Sequence, residues 1–324
     1  MKVAFAGTPP FAATILRGLL ASDHEVGLVI SQPDRRRGRG RKTTPTPVSA
    51  LARSESLDLA QPARIGEVAT EISSHDALVV AAFGQILRPD TLYAAPHGAW
   101  NVHASLLPRY RGAAPIERAI MEGERETGIT IMRMDEGLDT GPVALQRPTP
   151  IHPDVTGGEL TETLAQIGSK AIVEALTLME QGRLTVVDQD SLNATYAPKL
   201  LDEDKTVRWA EEVRAVHDLV RALSPGIGAR AFHPGFDGPV KIWRTGIEDG
   251  STTDGSPGAV SSSNGRISVQ CGVGSLEVLE LQAPGGRRMT AREFLLGRTL
   301  DGAFVSRGGR GSGGPASGPS GMWG

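Results

Sequence analysis

The sequence predicts an α/β protein: a Rossmann-like, mostly parallel sheet domain with helices on both faces, followed by a small OB-like β-barrel domain. Three observations predict it. "KVAFAG" is a short apolar run, and a Gly-Thr-Pro-Pro turn leads from it into "FAATILRGLLAS" and then "EVGLVIS". Strand, helix, strand in that order implies a right-handed crossover and parallel pairing. Beyond "PGIGARAF" the chain changes to short strands punctuated by Gly and Pro, the pattern of a small barrel.

The elements follow in order. Phe11, Ile15, Leu16 and Leu19 fall at helical spacing, and Pro10 suits a first turn. "DALVVAAFG" and "GAWNVHAS" read as a third and a fourth buried strand. "GITIMRMD" and "GPVALQRPTPI" alternate more and read as partly antiparallel. Thr156 caps a long amphipathic helix ending near "LMEQG". Residues 188–206 carry five acids and two lysines without a period, and are expected as a linker. "VRWAEEVRAVHDLVRAL" predicts a helix at the start of the second domain. The expected organisation is a catalytic domain at 1–187, the linker at 188–206 and a barrel at 207–306. A disordered low-complexity tail is expected at 307–324.

Composition bounds the function. A chain of 324 residues with 39% hydrophobic and 22% charged content fits a soluble two-domain protein. A net charge of -3 excludes binding to a polyanion by overall charge, so such a partner must meet a local patch. Cys271 is the single cysteine, so no intrachain disulfide forms. No apolar run approaches a membrane span or a secretory leader, and the expectation is a cytoplasmic protein with no membrane partner. No His/Cys/Asp cluster has familiar ligand spacing, so no metal is expected.

Four segments carry chemistry. "AGTPPF" is a tight strand-to-helix turn or a site for a polar substrate group at a helix start. It matches neither a dinucleotide fingerprint nor a P-loop. Asn101 and His103 are two apart on a strand, so they point the same way near its carboxyl end. Asn offers an amide to an oxyanion and His exchanges protons, although a structural His fits the residues alone as well. "MDEGLDTGPV" is a Gly-flanked acidic loop, either solvated or placing an acid beside His103. "QPDRRRGRGRK" packs five arginines and one lysine into residues 35–42, a solvated charge run or a site for a phosphate-rich substrate such as RNA.

Together, "FAGTPPFA", "SQPDRRRGRGRK", "VVAAFGQILRP", "NVHASLLPRYRGAAPIERAI" and "ETGITIMRMDEGLDTGPV" resemble the methionyl-tRNA formyltransferase family. The resemblance continues through "TYAPKLLDEDKTVRW" and covers about residues 1–306. It implies transfer of the formyl group of 10-formyltetrahydrofolate to the methionine of initiator methionyl-tRNA. It implies a catalytic trio of Asn101, His103 and Asp139. It implies a folate site from Ser105, Leu106, Leu107 and Pro108, joined by Phe83, Gly84, Gln85 and Ile86. Arg35, Arg36, Arg37, Arg39, Arg41 and Lys42 would meet the tRNA acceptor stem. Arg109 and Arg111 would extend that positive surface, or Arg111 would be a structural ion pair. A cis Leu107–Pro108 bond and a monomer are expected. The chain departs from the family at Pro10, at "AFG" (82–84) and at Arg36-Arg37, which make the loop more basic. The alternative within enzymes is formyl transfer to a small amine such as an amino-sugar nucleotide. A plain RNA-binding protein and a nicotinamide dehydrogenase are the rival classes.

Overall fold

The computed structural model describes residues 1–37, 42–248 and 255–305. Arg39, Arg41 and the expected tail at 307–324 lie outside the described residues. The chain divides into two compact units. The first is Met1–Lys205 with Arg221–Ile227, and the second begins with Thr206–Val220 and resumes at Gly228.

The first unit is built on one seven-stranded sheet. Its strands are β1 (Lys2–Gly7), β2 (Glu25–Ile30), β3 (Leu59–Ala60), β4 (Ala77–Ala81), β5 (Ala99–His103), β6 (Glu126–Arg133) and β7 (Val143–Pro150). The spatial order is β7-β6-β5-β4-β1-β2-β3. Pairing is parallel from β5 through β3, while β6 runs antiparallel to both β5 and β7. The chain builds outward from β1 on one side and then on the other. The strand order therefore reverses between β1 and β4, where open α/β sheets form a crevice at the carboxyl ends. Thr8, just after β1, donates from its hydroxyl to Phe83 O, just after β4, at 3.1 Å.

Both faces of the sheet are covered. Val3, Phe5, Val79, Trp100 and Val102 pack beneath helix α1 (Pro10–Leu20) and helix α2 (Gly157–Glu180). Phe11, Ile15, Leu16 and Leu19 of α1 are all buried, as the helical spacing predicts. Each such apolar burial contributes about 1.5–3 kcal/mol before the loss of conformational entropy is set against it. Thr156 caps α2, with Glu159 closing a capping box, worth about 1 kcal/mol. On the other face Ala4, Ala6, Leu78, Val80 and Ala99 meet Ile65, Ile72 and Leu92.

Residues 188–206, expected as a linker, hold short regular pieces. Tyr196–Ala197 pairs in parallel with Arg111–Gly112. The predicted helix at the start of the second domain is shorter than its pattern, running only Val213–Ala222. Ahead of it Trp209 is 1% exposed and stacks on Phe304, so tertiary burial overrides helical spacing.

The second unit is a curled antiparallel sheet. Its path is Ala229–Ala231, Val240–Ile247, Ser275–Gln282, Arg266–Gln270, Ala259–Ser263 and Gly302–Ala303. Val305 N donates to Phe232 O at 2.8 Å, so the first and last strands of that path meet at one end. This is the small β domain expected from the Gly/Pro-punctuated strands. No helix among the described residues is long and apolar enough to cross a membrane.

Asp34 fixes the root of the basic segment. Strand Arg35–Arg37 pairs antiparallel with Lys42–Thr44. Immediately before it, the Asp34 carboxylate accepts from Thr46 N, Ser49 Oγ, Arg53 Nη2 and Gln61 Nε2. Burial alone would raise its pKa, but the donors from Gln61, Ser49, Arg53 and Thr46 outweigh that and lower it from 3.8 to about 2. A depressed carboxylate stabilises the fold above its unfolded pKa and loses that contribution as pH falls toward its folded pKa. Asp34→Asn is therefore expected to unfold at lower urea than the wild type at neutral pH. The gap should narrow as pH falls from about 4 toward about 2. Urea midpoints across that range check it; a gap independent of pH would contradict the ionic account.

Candidate active site

Asn101 and His103 lie toward the carboxyl end of β5 and share a face of the sheet with Ala99. Strand alternation puts Trp100 and Val102 into the opposite core, so the sequence leaves only the odd positions for chemistry. Across the antiparallel pair, Asn101 faces Met132 and His103 faces Thr130. Asp139 arrives from the loop between β6 and β7 and joins them. Its Oδ2 lies 3.7 Å from His103 Nδ1, and its Oδ1 accepts from Asn101 Nδ2 at 3.4 Å. Gly112 N donates to the same Oδ2 at 2.8 Å. The three residues singled out in the sequence are thus brought together, with His103 5% exposed.

The histidine's orientation is set from behind. His103 Nε2 donates to the carbonyl of Tyr110 at 2.9 Å, which places the proton on Nε2 and leaves Nδ1 turned to Asp139. Tyr110 can aim its carbonyl this way because its φ is 59°. Asp139 at φ 52° and Ala82 at φ 44° are also in the left-handed region. Such non-glycine conformations cost about 1–3 kcal/mol each and persist where surrounding structure enforces them. At Tyr110 and Asp139 enforcement comes from residues 189–197. Thr195 accepts from Tyr110 N through Oγ1 and from Arg111 N through its carbonyl. Gly112 has φ 122°, and a Cβ there would lie 2.7 Å from Ala197 O, so this approach requires glycine.

The other predicted positions are placed as follows. The Leu107–Pro108 bond is cis. Thr130 Oγ1 donates to Ser105 O at 2.7 Å and accepts from Leu107 N at 3.1 Å, tying the turn to β6. Ser105 Oγ donates to Arg109 O, and Leu107 O accepts from Gln146. The polar groups of Ser105 and Leu107 are therefore taken up by Arg109 and by the neighbouring strands; Leu106 and Pro108 are half-buried. Phe83 is core, and its carbonyl accepts from Thr8 and Gln32. Gly84 has φ 83°. Gln85 bridges Ile65 N and Ala63 O, which leaves Ile86 pointing out at 91% exposure. Leu138, beside Asp139, is 61% exposed.

Of the basic segment, Arg35 is exposed. The suggestion that Arg111 extends its positive surface fails, whereas Arg109 is at the surface. Arg109 pairs with Glu124, and Arg111 is 3% exposed with its guanidinium donating to Gln189. Burial, together with Glu122 and Glu124, pushes the Tyr110 hydroxyl well above the usual phenol range. Sequence reasoning missed Thr130, Gln189 and Thr195. Thr130 was accessible as the strand partner of His103; Gln189 and Thr195 carried no local signal. A cavity of about 690 Å³ lies by Tyr93, His97, Trp100, Arg133 and Met179, and none of the catalytic candidates lines it. Among the described residues no His/Cys/Asp/Glu group could hold a metal.

Residues 1–176 match the formyl transferase family, and residues 199–299 match the formyl transferase C-terminal domain. The chain is 63% identical over 304 residues to methionyl-tRNA formyltransferase from Rubrobacter xylanophilus, covering 94% of this chain and 99% of that one. It is 44% identical over 303 residues to the same enzyme from Carboxydothermus hydrogenoformans, covering 92% and 96%. Among solved structures, HypX from Aquifex aeolicus superposes with a TM-score of 0.67 at 18% identity, over 93% of this chain and 49% of HypX. The sugar 3N-formyl transferase WlaRD gives 0.64 at 17%, over 86% and 96%. At those identities the structures establish a shared fold, whereas the sequence relatives align from end to end, and the chain belongs to the methionyl-tRNA formyltransferase family.

Proposed function

We propose that this protein transfers the formyl group of 10-formyltetrahydrofolate to the amino group of methionine on initiator methionyl-tRNA. The observation that carries the reading is the meeting of Asn101, His103 and Asp139 at the end of β5 in a chain 63% identical to a methionyl-tRNA formyltransferase. The folate supplies the formyl carbon. The residues of this chain handle charge and protons around it.

Asn101 Nδ2 carries a second N–H besides the one directed at Asp139, a donor for the formyl oxygen as negative charge develops there. His103 Nδ1, with the proton on Nε2 engaged by Tyr110, is the ring's free acceptor and takes a proton from the attacking amine. Asp139 Oδ2 at 3.7 Å stabilises the imidazolium, and Gly112 N keeps that carboxylate in place; the imidazolium then returns the proton to the folate nitrogen as its bond to the formyl carbon breaks and tetrahydrofolate leaves. No covalent enzyme intermediate is required, and Cys271 is buried with its thiol pushed up to about 12 by burial. Exposed Ile86 and Leu138 give apolar faces suited to the folate ring and the methionine side chain. The basic segment, rooted by Asp34, meets the acceptor stem.

The test is transfer of labelled formyl from 10-formyltetrahydrofolate to charged initiator tRNA. Label is expected in formylmethionine released by alkali. Label remaining on the folate would overturn the reading.

A further inference from the structure

We infer that Gln189 is a positioning residue: its amide ties Arg111 to the Asp139 loop and so holds the Asp139 carboxylate over His103. The inference rests on the reading of Asn101, His103 and Asp139 as the reacting site. Of these three Gln189 touches only the main-chain carbonyl of Asp139, and it acts through that residue's carboxylate.

The amide of Gln189 is fully engaged. Its Oε1 accepts from Arg111 Nε at 3.1 Å and from Arg111 Nη2 at 2.8 Å. Its Nε2 donates to Asp139 O at 2.9 Å and to Gly141 O at 2.7 Å. Two accepted and two donated bonds are the working capacity of a side-chain amide. A carboxylate would serve Arg111 but not two carbonyls, and an ammonium would serve the carbonyls but not Arg111. The position therefore calls for an amide.

The two groups it joins flank the Asp139 carboxylate. Arg111 precedes Gly112, whose N–H donates to Asp139 Oδ2 at 2.8 Å. Asp139 O belongs to the residue held at φ 52°, where a small rotation swings the carboxylate away from Nδ1. Gln189 thus fixes the main chain of Asp139 on one side and the strand that grips its side chain on the other. It is itself held on both sides. Val187 exchanges two 2.8 Å backbone bonds with Val143, and Asp190 Oδ1 accepts from Leu192 N at 3.1 Å.

The test compares Gln189→Glu and Gln189→Ala in the wild-type and Asp139→Ala backgrounds, by formylation of methionyl-tRNA and by hydrogen exchange at the Gly112 amide. Gln189→Glu keeps the acceptor for Arg111 and loses both donors to the loop. It is expected to lower kcat by about 10- to 100-fold, the scale of a misplacement near 1 Å. KM for both substrates should stay within about 2-fold, because binding contacts are untouched. In the Asp139→Ala background the same change should cost less than about 2-fold, because residues acting through one group are non-additive. Gly112 should exchange faster in Gln189→Glu than in the wild type. Wild-type turnover in Gln189→Glu, or equal losses in both backgrounds, would overturn the role and leave Gln189 a support for buried Arg111. Should Gln189→Ala fail to fold, Gln189→Glu decides alone. If the wild type transfers no formyl group, the proposed function fails; the exchange rate at Gly112 still decides whether Gln189 places the carboxylate, and unchanged exchange would overturn that.

Discussion

Asn101→Ala and His103→Ala are each expected to lower kcat for formyl transfer by about 100-fold or more, with the fold intact. Asn101→Ala removes a donor that matters most as charge develops, and His103→Ala removes the acceptor for the amine proton. Both side chains act chiefly in the transition state, so KM for folate and tRNA should barely change. Neither truncation opens the main core, because the strand's core-facing residues are Trp100 and Val102. Steady-state kinetics with both substrates varied, beside thermal melts of each variant, check this. A loss confined to KM at unchanged kcat would assign the pair to binding.

The second large effect concerns Arg35, Arg36 and Arg37. Replacing all three with Ala is expected to weaken tRNA binding and flatten its salt dependence. Each phosphate contact contributes about 0.7–0.9 log units of affinity per decade of salt, so three contacts contribute roughly 2–3. Folate affinity should hardly change, since the turn at Ser105–Pro108 is held by Thr130, Gln146 and the Ser105 hydroxyl. The comparison is KM for tRNA across a salt series. Equal slopes for wild type and triple variant would exclude these arginines as phosphate contacts. Arg39→Ala should reduce turnover more than any single one of the three, because a planar guanidinium positions as well as attracts.

Much of the site was legible because it obeys a local rule. Alternation along β5 put Asn101 and His103 on one face, and the apolar runs with Gly/Pro turns gave the strand order near β1. The Gly-flanked acidic loop after a strand was legible as placing an acid beside His103, though that the acid is Asp139 came only from the family resemblance. The rest depends on long-range contacts. Arg111 read as surface charge or as one half of an ion pair because nothing near it in sequence reveals Gln189, 78 residues on. The acidic stretch at 188–206 has no period because it is a short strand and turns fitted against Tyr110–Gly112. Trp209 lies in a helical pattern but not in a helix, since burial against Phe304 decides its backbone.

The most direct measurement sets acceptors against one another. Charged initiator tRNA, an amino-sugar nucleotide and glycinamide ribonucleotide are offered at equal concentration with limiting 10-formyltetrahydrofolate, and each formylated product is quantified. Nearly all of the formyl group should appear on methionyl-tRNA, and His103→Ala should lower that yield at fixed time. Formyl appearing on a small amine while methionyl-tRNA stays unmodified would contradict the account.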